Sequence, residues 1–463
     1  MNYTETVLEE TIAEDPGFVR PDGPLTREII EDFQSYRLRE IVRYARENSE
    51  LYKERYEGIP EPETIRDISS LPFTTAADLR HRPYRMMCIT MGGVVRTFSH
   101  FTTGTTGMPK RIMFSESDVR KIDRNMRGVI GEMLYDAGLE PAETHMGIYL
   151  PDFGRPFSMA EMISRAGQAL GCSTYKGSCA DIAEDQIAEL RSERPDVIMG
   201  SAFRIWRIVQ SGREGGSLRG LDIKAVLITS EYMPQAMRRG IEDAFGAEVF
   251  HHYGMTEPGF AIGVECSNHR GYHYNEADLF YEIIDSETGE VLPDGEEGEL
   301  VLTTLDRQAQ PLIRYRTGDI ATISHEPCCS QALSSIGLLT KRIGLTYELG
   351  NGREIYTSIT DEALYCIPDM LDYRIYLTDG EDAAHLRCEA ERIGEAEDFE
   401  ERVHNALMNI EVIRDAADAG VLIVDPVVIR QRGDLRRGGR TMKRKIVDER
   451  KDAGKEEPVL DLA

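Results

Sequence analysis

The sequence predicts an α/β fold: a large N-terminal domain of mainly parallel sheets covered by helices, carrying a small β-barrel-like subdomain, then a small mobile α+β C-terminal domain. Three observations lead there. A chain of 463 residues is too long for one compact core, and a hydrophobic content of 41% is enough to build two or three. Strand-like apolar runs alternate with helical ones through the middle of the chain, as parallel sheets flanked by helices require. Beyond about residue 278 this gives way to short β-rich pieces separated by Gly, Pro and Asp turns.

From Leu25 to Tyr56 apolar residues recur at helical spacing, and Pro60 with Pro62 closes this helical entrance, 25–56. The alternation follows: "THMGIYL" then "FSMAEMISRAGQALG", "PDVIMGSA" then "FRIWRIVQSG", "KAVLITS" then "PQAMRRGIEDAFG", then "EVFHHYG". The β-rich subdomain, about 278–335, holds "LFYEIID", "GELVLTTL" and "DIATI". Strands near "YRIYL" and "AGVLIV" with a helix near "EDFEERVHNALMN" form the last unit. The expected division is 1–342 and 343–463, with a hinge near Lys341 to Thr346.

With 81 acidic residues against 54 basic ones, the formal charge is −27, which disfavours nucleic acid as a partner. Against that background Arg430 to Lys445 is a concentrated basic segment, which suits a local site for an anionic ligand. The N-terminus lacks signal-peptide architecture and no stretch reaches the ~18 apolar residues of a membrane span, so a cytoplasmic protein with no membrane partner is expected. Eight scattered cysteines suggest reduced thiols or metal ligands.

The most telling segment is "FTTGTTGMPKR", Phe101 to Arg111. Gly104 and Gly107 permit backbone conformations that turn successive N–H groups toward one anion. Thr102, Thr103, Thr105 and Thr106 add hydroxyl donors, while Lys110 and Arg111 supply counter-charge. Arg111 after Lys110 departs from a Walker A loop, which needs Ser or Thr there.

This loop resembles the signature of adenylate-forming enzymes, and specifically the phenylacetate-CoA ligase branch. "HHYGMTEPG" from His251, "GELVLTTL" from Gly298, "PLIRYRTGDI" from Pro311 and "GGRTMKRKIVDER" near the end follow in that family's order. The resemblance implies ATP, Mg²⁺ and coenzyme A as cofactors, a small-molecule carboxylic acid as substrate, and a homodimer. It implies a catalytic segment at Thr256 and Glu257, with Glu257 a magnesium ligand. Tyr253, Gly254 and nearby His252 match the residues about the adenine, as do Ser230 and Glu231 in "ITSEYMP". Asp319 occupies the position of a carboxylate that accepts from both ribose hydroxyls, for which its two oxygens are suited. Arg342 resembles the arginine near the hinge that reaches the nucleotide. Lys443 matches the mobile C-terminal lysine that offsets charge at the reacting carboxylate and α-phosphate. Spacing to Asp448 keeps Lys445 as the alternative.

Two groups of soft ligands, Cys266 and His273 in "ECSNHRGYH" and His325, Cys328 and Cys329 in "HEPCCS", could converge on a structural zinc. Because adjacent thiolates rarely share one ion comfortably, the expected set is Cys266, His273, Cys328 and one of His325 or Cys329. "YLPDFGRPFSM" occupies the place of the family's acid pocket, giving Phe153, Phe157 and Phe203 as aromatic candidates and Arg155 as a partner for a second acidic group. The function expected is an AMP-forming acid:CoA ligase for an aryl or arylacetic acid. A nucleotidyl transferase of the deazaflavin-coenzyme type, or transfer of the adenylate to an amine or carrier thiol, are the alternatives.

Overall fold

The computed structural model describes residues 3–100, 108–152, 158–178, 183–215, 218–329, 331–350, 352–436 and 446–450. Its centre is a nine-stranded sheet in which five strands are parallel, in the spatial order Ser173–Lys176, His145–Tyr149, Val197–Ser201, Ala225–Thr229 and Glu248–Tyr253. The strands Val197–Ser201 and Ala225–Thr229 are buried at every position, which is why they read as unbroken apolar runs rather than alternating ones. Helices between them cover both faces. Gln235–Phe245, for example, ends at Gly246 with φ 67, a left-handed C-cap that a side chain would strain.

At Glu248–Tyr253 the sheet changes direction, adding Gly263–Glu265, Tyr272–Tyr274, Ser335–Ile336 and Ile323–Ser324 as antiparallel neighbours. The β-rich region is thus divided. Its outer strands Ile323–Ser324 and Ser335–Ile336 join the large sheet, while Leu279–Ile284, Gly298–Thr304, Tyr315–Ala321 and Lys341–Arg342 form a separate antiparallel sheet. Among the described residues the path of that sheet is open, so the barrel-like expectation takes the form of an antiparallel layer. Its last strand lies in the expected hinge and sets Arg342 directly opposite Asp319.

The C-terminal part carries a five-stranded sheet built on the antiparallel pair Met370–Thr378 and Ala384–Arg392, with Leu422–Val424, Val428–Arg430 and Ile446–Asp448 added in parallel. Helices Phe399–Met408 and Glu411–Asp418 contribute Val403, Leu407 and Ile413 to its core. The indole of Trp206 reaches this part through a 3.0 Å hydrogen bond to the Met370 carbonyl. No helix among the described residues is long and apolar enough to cross a membrane.

Candidate functional site

The site gathers where the phosphate-loop hairpin, the turn after Glu248–Tyr253 and the strand Tyr315–Ala321 meet. Thr102, Thr103, Gly104, Thr105, Thr106 and Gly107 lie outside the described residues, but the strands flanking them are present. Arg96–His100 pairs antiparallel with Lys110–Phe114. That pairing delivers Lys110, 3% exposed, to the buried side of the hairpin.

There its ammonium donates to Glu257 Oε1 at 2.7 Å and lies 3.2 Å from the Tyr315 hydroxyl, which itself sits 3.2 Å from the same carboxylate oxygen. Burial alone would raise the Glu257 carboxyl, but the Lys110 ammonium, together with the Arg342 charge and a backbone N–H, outweighs it and holds the group below its ordinary range. Glu257 is therefore a buried, ionised carboxylate. The turn that carries it is held by Arg307, whose guanidinium donates to the Glu257 carbonyl, reaches the Met113 carbonyl at 3.2 Å, and stacks 4.4 Å from the Phe114 ring centroid. Asp118, in the capping box of helix Glu116–Asp136, accepts from the backbone N–H groups of Gln308 and Ala309 and so fixes the loop behind Arg307.

A second group assembles around Asp319. Tyr253 donates to Asp319 Oδ2 at 2.8 Å, and Arg342 Nη1 lies 3.2 Å from Oδ1 while its Nη2 donates to the Thr317 carbonyl. The aspartate's presence raises the Arg342 guanidinium further, keeping it charged. Tyr315 and Asp319 lie on one strand, whose register shifts between them at the left-handed Gly318, and the Arg342 charge acts on both Glu257 and Asp319, so the two groups are linked. Gly254 is required beside them, because a Cβ there would meet the carbonyl oxygen of Phe260. Thr256 is half-buried on the same turn.

Ser230 adopts φ 77 in the turn after Ala225–Thr229. Its neighbour Glu231 accepts at Oε1 from the Phe203 N–H at the start of helix Ala202–Gly215. Strand alternation sends His252 to the face opposite Tyr253, where it is 3% exposed and its Nδ1 lies 2.8 Å from Thr229 Oγ1. Burial holds this imidazole down at about 3, and the adjacent His251 adds to the effect.

Behind the site Cys266, His273, Cys328 and Cys329 converge, their ligand atoms all within 4.8 Å of one another. Nε2 of His273 is 3.3 Å from each of the Cys328 and Cys329 sulfurs, and Cys266 Sγ is 3.8 Å from Cys328 Sγ. His273 Nδ1 donates to the Ser334 carbonyl at 3.0 Å, which leaves Nε2 as the lone-pair atom aimed at the sulfurs, as metal-bound imidazoles require. A hydrogen bond with Cys329 and the nearness of His273 hold the Cys266 thiol well below the usual range. Three sulfurs and one nitrogen at these separations fit a tetrahedral zinc. The fourth residue is Cys329. Of the two residues left open for the fourth position, Cys329 lies in the cluster, whereas His325 has its Nδ1 2.8 Å from Asp294 Oδ1. The turn at 328–329 directs both sulfurs to one side of His273.

Of the aromatic candidates for the acid pocket, Phe203 is fully buried in the core, while Phe153, Phe157 and Arg155 lie outside the described residues. Near the Glu257 turn the structure instead presents Phe98 and Phe260, in edge contact at 4.7 Å, with the Arg96 guanidinium 3.5 Å over the Phe98 ring. These three and Tyr315 and Arg307 were not singled out from the sequence. Phe98 alternates with a threonine and serine in its strand, the only local signal it offers. Lys443 and Lys445 also lie outside the described residues.

The family of AMP-binding enzymes matches residues 97–304. Among curated proteins the chain is similar to the phenylacetate-coenzyme A ligase of Aromatoleum evansii, 30% identical over 323 residues that cover 66% of this chain and 70% of the relative. The enzyme of the same description from Thermus thermophilus is 28% identical over 358 residues, covering 75% and 78%. Among solved structures, a 2-hydroxyisobutyryl-CoA ligase in the postadenylation state with 2-HIB-AMP superposes with a TM-score of 0.75 over 96% of each chain, at 18% identity, which establishes the common fold.

Proposed function

The chain belongs to the phenylacetate-CoA ligase branch of the adenylate-forming, AMP-binding enzymes, and from that premise we propose that it is an AMP-forming acid:CoA ligase whose acid is aryl or arylacetic. The observation that supports this most is the junction of the two groups on Tyr315–Ala321, with an ionised carboxylate and a lysine at one end and a tyrosine–aspartate–arginine set at the other.

In this reading the threonine-rich loop and Lys110 hold the triphosphate. Asp319 accepts from the ribose hydroxyls, Tyr253 faces the adenine, and Ser230–Glu231 edges it. The buried Glu257 carboxylate offers the hard oxygen that a magnesium ion prefers, and the ion would neutralise phosphate charge as pyrophosphate departs. The substrate carboxylate oxygen attacks the α-phosphorus and the bond to pyrophosphate breaks. The lysine at 443, or its alternative at 445, offsets charge in that step. The thiolate of coenzyme A then attacks the acyl carbon, and AMP leaves with the electron pair of the C–O bond. Residues 343–463 are proposed as the unit that turns between the two half-reactions, since one site cannot be closed against water and open to a thiol at once. Phe98 and Phe260 give the acid pocket an aromatic wall of edge-to-face geometry, suited to an arene. The quartet Cys266, His273, Cys328 and Cys329 holds a structural zinc.

Acid-dependent exchange of labelled pyrophosphate into ATP, across a panel of carboxylic acids, tests the reading. Exchange should rise with phenylacetate or benzoate-type acids over short aliphatic ones. A chain that exchanges equally with no acid present, or with aliphatic acids alone, does not do what is proposed.

A further inference from the structure

One buried histidine joins the cysteine-rich loop to the nucleotide turn. His251 is 8% exposed at the centre of the strand Glu248–Tyr253, and its Nε2 lies 2.9 Å from the carbonyl oxygen of Glu231. A carbonyl only accepts, so Nε2 carries the proton. Burial disfavours the charged imidazole, so Nδ1 is left as an acceptor, and the Tyr272 hydroxyl donates to it at 2.9 Å. Both ring nitrogens are thereby used within the protein. The ring acts as a strut behind Ser230–Glu231, a turn whose left-handed serine needs support from its surroundings.

Two threads run from that strut to the quartet. Cys266 directly follows Glu265, a fully buried carboxylate whose Oε2 accepts from the His251 N–H at 2.9 Å and from Arg238 Nη2 at 2.5 Å, with His269 Nδ1 at 3.4 Å. His273 directly follows Tyr272, whose hydroxyl clamps Nδ1 and whose ring centroid stands 5.7 Å from that of Tyr253. Any movement of Cys266 or His273 is passed by a covalent neighbour to the same imidazole.

We propose that His251 is a positioning residue that couples the Cys266, His273, Cys328 and Cys329 quartet to nucleotide affinity. Zinc held by the quartet fixes Glu265 and Tyr272, these fix His251, and His251 holds the adenine-facing turn. The inference rests on the nucleotide and zinc readings given above. Because linkage is reciprocal, nucleotide also tightens zinc by the same factor.

The test is a fluorescent-ATP titration of the full chain, zinc-loaded and chelator-stripped, alongside zinc content by atomic emission and a thermal melt. The stripped parent should bind ATP about five- to tenfold more weakly than the loaded one, within the range of ordinary coupling energies. Tyr272→Phe removes one hydroxyl and leaves the ring. It should weaken ATP binding about three- to tenfold, the worth of a buried hydrogen bond, and reduce the zinc effect to under about twofold. The KM for the acid should not change in this variant, a split that loss of general stability would not produce. His251→Gln, whose amide can still donate to the Glu231 carbonyl, should recover part of the affinity that His251→Phe loses.

An equal zinc effect in Tyr272→Phe and parent, or a parent affinity indifferent to zinc, overturns the coupling. Should stripping unfold the chain, the loaded form decides, since ATP affinity of Tyr272→Phe within twofold of parent also overturns it. A zinc-loaded chain that binds no nucleotide rejects the functional reading and the coupling with it. Nucleotide binding by a chain that takes up no zinc rejects the metal reading and the coupling while leaving the functional reading intact.

Discussion

Separating Lys110 from Glu257 is the perturbation whose size the structure fixes best. The two side chains are 4% and 8% exposed and their charges stand 2.7 Å apart. At an effective dielectric of about 20 the attraction is about 6 kcal/mol, most of it offset by the cost of taking both ions out of water. What survives is the penalty for orphaning either partner, about 3–5 kcal/mol. Glu257→Gln should leave a buried ammonium with a neutral acceptor and lose about that much. Lys110→Met should leave the carboxylate with the Tyr315 hydroxyl and the more distant Arg342 charge, and its pKa should rise as burial loses its main opponent. The double variant removes both charges together, so it should be more stable than the sum of the singles by about 3 kcal/mol. Urea unfolding followed by circular dichroism gives the cycle, and pyrophosphate exchange on the same proteins should fall by at least about a hundredfold in each single variant. Single effects that add to within about 0.5 kcal/mol would show that the contact carries no energy and that the description of the site is wrong.

Three further outcomes are expected. Asp319→Asn removes the anion shared by Tyr253 and Arg342, so the KM for ATP should rise about ten- to a hundredfold; an unaltered KM would remove Asp319 from the nucleotide site. His252 titrates at about 3 in the folded chain against 6.5 unfolded, so the unfolded state binds the extra proton between those values. Stability is then full above pH 6.5 and declines toward pH 3 by about 4–5 kcal/mol from this group; His252→Gln should flatten that slope, and an unchanged slope would contradict the burial argument. The parent should carry one zinc per chain by atomic emission and His273→Ala none, with a lower melting temperature, whereas His325→Ala should retain the metal.

What the sequence made legible was local. The Gly/Thr loop, the strand-and-helix alternation and the "YGMTE" and "YRTGD" turns each depend on residues within one or two turns of chain, where φ freedom, side-chain period and hydroxyl placement leave direct marks. Pairings across the fold left none. Lys110 and Glu257 are 147 positions apart, and nothing in either segment says that one neutralises the other. Tyr315 lies within the "PLIRYRTGDI" segment with nothing to mark it, yet its hydroxyl also joins that pair. The choice between His325 and Cys329 depended on how a tight turn directs its side chains, and the spacing of ligands in the chain does not contain that information. The strands Ile323–Ser324 and Ser335–Ile336 follow the smaller sheet in sequence but do not belong to it. They join the larger one because its antiparallel edge at Tyr272–Tyr274 offers them unpaired backbone groups.

The central claim, that this chain activates an acid as its adenylate and hands it to a thiol, is tested most directly by mass spectrometry of a single reaction containing the protein, ATP, magnesium, phenylacetate and coenzyme A. Phenylacetyl-CoA together with stoichiometric AMP and pyrophosphate is the expected result. A stable AMP conjugate with coenzyme A left unacylated, or ADP in place of AMP, would contradict it.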